Sequence, residues 1–66
     1  MELTINGKSV TLEGPTTIAD FLNRRGLNPK TVVVEHNGEI LARDRYADVT
    51  LRAGDVVEIV QMMAGG

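Results

Sequence analysis

Along the first dozen residues, Leu3, Ile5, Val10 and Leu12 alternate with Glu2, Thr4, Thr11 and Glu13. A period of two belongs to a strand with one buried face, because successive side chains point to opposite sides of a sheet. Asn6-Gly7 interrupts the alternation, and that pair accepts the positive φ angles of a two-residue hairpin turn. The segment therefore predicts an antiparallel hairpin, closed by Gly14-Pro15. The spacing then changes to that of a helix. Ile18, Phe21, Leu22 and the stem of Arg25 share one face. Thr17 is placed to be the N-cap, Asp20 lies in the first turn, and Gly26 is placed as the residue just beyond the C-cap. Arg24 and Arg25 suit the negative end of the helix dipole, and Leu27 is expected to close the contact past the cap.

Asn28-Pro29 ends the helix, since the residue before a proline disfavours helical angles. Thr31–His36 is rich in β-branched residues and reads as a strand. Asn37-Gly38 is a second hairpin signal, leading into Ile40-Leu41-Ala42. Arg43–Asp48 is a polar loop with a short helical turn, and Tyr46 is expected to pack beneath it. Val49-Thr50-Leu51 leads to the Ala53-Gly54-Asp55 turn, and Val56–Val60 is the last strand.

The order is thus strand, strand, helix, then further strands. One amphipathic helix covering one face of a small sheet satisfies the burial needs of both. The first and last strands are expected to pair in parallel at the centre, since the intervening helix permits the crossover. This is the α+β architecture of the ubiquitin-like β-grasp. It implies a mixed sheet of four to five strands, one domain over 1–66, and an extended flexible tail over 61–66. Parity along the strands turns Val57 and Ile59 toward the helix and Val56, Glu58 and Val60 outward. Val32 and Val34 point inward, leaving Val33 on the open face. An exposed cluster of Val33, Val60 and Met62 beside the tail is a candidate docking surface for a partner.

Composition narrows the chemistry. The 66 residues contain no cysteine, so disulfides, thiolate nucleophiles and cysteine metal sites are excluded. A net charge of -2 with interspersed signs gives no support for nucleic-acid binding. No apolar run approaches the roughly 20 residues of a membrane span, and the N-terminus lacks a secretory pattern, so a cytoplasmic protein is expected. His36, the one histidine, has no cysteine companion, and Glu35 points the other way on the strand; a solvated or half-buried strand residue, not a catalytic base, is expected. Asp55 is expected to bond within its own turn. Lys8 and Lys30 are too separated to cradle phosphate. No intrinsic active site emerges, and no bound cofactor or metal is expected.

The chain closes on Ala64-Gly65-Gly66. Average glycine usage makes a Gly-Gly end a chance event in roughly one chain in two hundred. A terminal glycine carries a carboxylate with no Cβ beside it, so a narrow active site can close around it. Such an end suits a substrate better than a catalyst.

Taken with the length, Val34-Glu35-His36-Asn37-Gly38-Glu39-Ile40, Gly54-Asp55-Val56-Val57-Glu58-Ile59-Val60 and the Gly-Gly end closely resemble the ThiS family, within the MoaD/ThiS superfamily. Those proteins are sulfur carriers of thiamin biosynthesis. The resemblance implies that the Gly66 carboxylate is adenylated by a ThiF-like, ATP-using partner and converted to a thiocarboxylate. The sulfur then passes to a ThiG-like thiazole synthase, having come from a cysteine desulfurase or related donor. Gly65 and Ala64 would present the modified Gly66. The related alternatives are the small subunit of molybdopterin synthase, which shares the tail chemistry, and a ubiquitin-like modifier, whose last glycine ends in an isopeptide bond.

Overall fold

The computed structural model describes residues 1–62. Strands β1 (Glu2–Ile5) and β2 (Lys8–Thr11) form the first hairpin, with Glu2 opposite Thr11 and Ile5 opposite Lys8. Its turn has φ of 52° at Asn6 and 79° at Gly7, the left-handed angles that the Asn-Gly pair predicts. Helix α1 (Ile18–Arg24) follows, then β3 (Val32–His36), β4 (Glu39–Leu41), a short 3-10 helix over Arg43–Arg45, and β5 (Val56–Gln61).

Local chemistry sets both ends of α1. The Thr17 hydroxyl accepts from the Asp20 N–H at 3.0 Å, and the Asp20 carboxylate accepts from the Thr17 N–H at 3.3 Å, a reciprocal capping box. At the other end, Gly26 has φ of 70°. Its N–H donates to the Asn23 carbonyl and that of Leu27 to the Leu22 carbonyl, which is the Schellman arrangement. The regular helix therefore stops at Arg24, two residues short of the glycine. Arg24 lies in the last turn of the helix, as expected. Its guanidinium reaches back to the Thr16 hydroxyl at 3.2 Å, while Arg25 stacks over the Phe21 ring at 4.7 Å.

The five strands lie in the order β2-β1-β5-β3-β4. β1 and β5 run parallel, with Thr4 opposite Val56 and Ile5 opposite Val57; the other pairs are antiparallel. The last strand is therefore the middle of the sheet. Parity behaves as expected: Leu3, Ile5, Val32, Val34 and Val57 are buried against Ile18, Phe21 and Leu22 of the helix. Tyr46 and Leu51 complete this core from below the 3-10 segment, so the lone tyrosine is a packing residue. Leu27 packs against the same cluster, just past the helix cap. Because the helix covers only one side, the sheet's other side is left open.

β5 runs one residue beyond the expected strand. Gln61 remains within it, opposite Val32, with its side-chain amide donating to the Thr31 hydroxyl at 2.8 Å. The Met62 N–H donates to the Thr31 carbonyl at 2.7 Å. The segment 61–66, expected as tail, thus begins with a paired residue.

Candidate functional site

β5 delivers the end of the chain; it is paired on both sides at its start and with β3 alone through Gln61. Where two ladders hold the strand, its direction cannot fray independently of the sheet. β1 stops four residues short of the end of β5, since its register runs only to Ile5 opposite Val57. The Asn6 side chain takes over where β1 turns away. The Ile59 N–H donates to Asn6 Oδ1 at 2.7 Å, and Asn6 Nδ2 donates to the Ile59 carbonyl at 3.2 Å. A side-chain amide thus stands in for the missing peptide. Gly66, Gly65 and Ala64, the residues expected to carry and present the reactive end, lie outside the described residues.

The open side of the sheet adjoins that exit. Val33 and Val60 face one another across β3 and β5 and share its outward surface. Val60 is 57% exposed and Met62 44%, whereas Val33 is half-buried. Two further aliphatic side chains extend this surface beyond the expected trio: Val56 at 49% exposure and Ile40 at 74%. Ile40 owes its position to the Asn37-Gly38 turn, which places it directly opposite the outward-facing Glu35. That turn was legible in the sequence, but which face Ile40 takes depends on the register the turn imposes.

At the opposite end of β5 lies a polar network that sequence reasoning missed. His36 Nε2 is 2.9 Å from Asp55 Oδ2, and Asn37 Nδ2 donates to Asp55 Oδ1 at 3.1 Å. The Arg52 N–H donates to Asp55 Oδ2 at 2.9 Å, the turn bond expected of this aspartate. Asn37 Oδ1 accepts from the Val56 N–H at 2.8 Å. Burial pushes the Asp55 carboxyl upward, but the bonds from His36, Arg52 and Asn37 outweigh it and hold it below its usual value. With Asp55 ionised, Nε2 is the protonated ring nitrogen of His36. Of the two expected states, solvated or half-buried, His36 takes the half-buried one, with one addition. Its acid partner is Asp55, 19 residues away in sequence, and not a neighbour on its own strand. The network staples the β3–β4 turn to the turn before β5.

Among the described residues, no helix is long and apolar enough to cross a membrane, and no cluster of three or more His, Asp or Glu is placed to hold a metal ion. What the described surface offers is a set of exposed aliphatic side chains beside the C-terminal end of β5.

Comparison with known proteins gives a consistent set of likenesses. The ThiS family model matches residues 3–66. The chain is 45% identical over 65 residues to the sulfur carrier protein ThiS of Bacillus subtilis (strain 168), covering 97% of this chain and 98% of that protein. It is 36% identical over 66 residues to a thiazole synthase of Paramagnetospirillum magneticum, covering all of this chain and 20% of that protein. The crystal structure of the thiamine biosynthesis protein ThiS from Geobacter metallireducens superposes with a TM-score of 0.84 at 36% identity, with 100% of both chains covered.

Proposed function

The chain belongs to the ThiS family, and from that premise we propose that it is a sulfur carrier of thiamin biosynthesis whose reactive group is the Gly66 carboxylate. The observation that carries this reading is a family match that extends from Leu3 through Gly66 on a β-grasp whose central strand leads to that end.

A carboxylate resists attack by sulfur because its oxygen is a poor leaving group. In the proposed sequence the Gly66 carboxylate attacks the α-phosphorus of ATP on a ThiF-like partner, and pyrophosphate departs. The terminal sulfur of a persulfide on a cysteine desulfurase or related donor then attacks the acyl-adenylate and displaces AMP. A thiol reductant attacks the donor-side sulfur of the resulting acyl disulfide, releasing the thiocarboxylate and leaving a disulfide. Positioning and charge stabilisation come from the partner, so the carrier needs no acid or base of its own. Its contribution is reach and recognition. Gly65 has no side chain and Ala64 only a methyl group, so the chain beside Gly66 is thin enough to enter a narrow active site. The surface of Val33, Val60 and Met62 is the proposed grip.

The acceptor in this reading is a ThiG-like thiazole synthase. The Paramagnetospirillum magneticum relative supports it, because a protein named thiazole synthase contains a segment similar to this whole chain. The test is intact mass spectrometry after incubation with ATP, a sulfur donor, a thiol reductant and the adenylating partner. Exchange of one oxygen for sulfur, abolished by deleting Gly66, is expected. Stable conjugation to lysines, or no change with the cognate partner, would refute the reading.

A further inference from the structure

On the open side of the sheet, four aliphatic side chains stand around two carboxylates. Glu58 lies between Val56 and Val60 on β5, Glu35 lies one outward position from Val33 on β3, and Ile40 is the cross-strand partner of Glu35 on β4. Glu35 and Glu58 are direct partners of one another. The Asn37 N–H to Val56 carbonyl and Met62 N–H to Thr31 carbonyl bonds on either side put them at a hydrogen-bonded step of the ladder. There the Cα atoms are about 5.5 Å apart and both side chains rise from one face.

Like charges so placed oppose folding. The fold does not neutralise them: the ion pairs among the described residues are His36–Asp55 and Arg45–Asp48. None of the seven Lys and Arg residues occupies an outward position on a strand. Lys8 shares the side of Ile5, and the others lie in the helices and loops. Glu2 is the third acid on the open face, on β1 at the end of the sheet beside Gly54, two residues before the Thr4–Val56 pair. Among the described strand positions the charges on this face are thus all acidic, and its central pair is ringed by aliphatic side chains.

We infer that this face docks a protein surface presenting an arginine within an apolar patch, with the guanidinium seated between Glu35 and Glu58. A guanidinium is planar and donates along two directions, which suits two carboxylates on adjacent strands better than a point-charge ammonium does. Val33, Val56, Val60 and Ile40 exclude water around the contact, the setting in which a charged pair contributes most to recognition. The repulsion that the free domain tolerates becomes attraction in the complex. This rests on the carrier reading for the identity of the partner, taken as the ThiF-like adenylating enzyme.

The test compares the full chain with Glu35→Gln, Glu58→Gln and the double variant, and uses Glu2→Gln as the control on the same face. Thermal unfolding of the free chain and calorimetric binding to the purified adenylating enzyme are both measured. The double variant is expected to melt a few degrees higher yet bind about tenfold or more weakly, with the loss shrinking at high salt. Glu2→Gln should change neither. Binding of the double variant within twofold of wild type overturns the inference, as does an equal loss in Glu2→Gln. Sulfur loading of the wild type is followed separately by mass. If the wild type binds the enzyme but never gains sulfur, the carrier reading fails while the docking result stands on its own.

Discussion

Asn6 and Ile59, 53 residues apart, are joined by two hydrogen bonds between the side chain of one and the backbone N–H and carbonyl of the other. The same asparagine supplies the positive φ that turns the first hairpin. One residue therefore ends β1 and repairs the gap that this ending leaves beside β5. Asn6→Gly keeps the turn geometry but deletes both bonds, and is expected to lower stability by about 1–2 kcal/mol. Asn6→Ala should cost more, because it also forces alanine into the left-handed region. Denaturant unfolding would show the order wild type, glycine, alanine; a glycine variant as stable as wild type would remove the ladder role.

Asp55 gives a prediction in pH. Its folded-state carboxyl titrates below its usual value, so the charged form is favoured by folding. That contribution is complete above the unfolded value of about 3.9 and is lost as pH falls through the lower folded value. Asp55→Asn should therefore be less stable than wild type near neutrality, and the gap should close as the medium is acidified below about pH 4. A gap that stays constant down to about pH 2 would show that the His36–Asp55–Asn37 network carries no such linkage.

The core is thin enough that single truncations decide folding. Leu22 and Val34 are fully buried, Leu22 on the helix face that meets the sheet. Leu22→Ala is expected to cost about 2–5 kcal/mol, against a total of roughly 3–10 kcal/mol for a domain of this size. Ile40→Ala, at a side chain 74% exposed, should stay within about 0.5 kcal/mol. Calorimetric melting of the pair separates burial from hydrophobicity as such, and comparable losses would contradict the burial argument.

Val60 tests the aliphatic ring around the acidic pair. Its side chain is exposed on the outer face, so Val60→Asp should leave the domain folded, with the melting temperature lowered by no more than several degrees. Adenylation at low carrier concentration should fall about tenfold or more. Adenylation kinetics equal to wild type would exclude Val60 from docking.

Much of this protein is local, and the local part was legible in the sequence. Asn6-Gly7 and Asn37-Gly38 name their turns because few residue pairs accept two successive positive φ angles. Thr17, Asp20 and Gly26 announce the helix ends through bonds made within three or four residues. Alternation alone assigned Val57 and Val34 to the core and Val60 to the surface. The resemblance of the Gly-Asp turn, last strand and Gly-Gly end to ThiS proteins placed the chain in its family, as the match over residues 3–66 bears out.

What only the tertiary structure decided is which distant residues meet. His36 finds Asp55, Asn6 finds Ile59, and Glu35 finds Glu58 because β5 enters the sheet between β1 and β3 at one register. A shift of one residue would exchange the faces of the whole strand, so the buried valines select that register for the entire sheet. Hydrophobic patterning thus determined which side of each strand is buried, while cross-strand register, a property of the assembled sheet, placed two carboxylates side by side in an aliphatic ring.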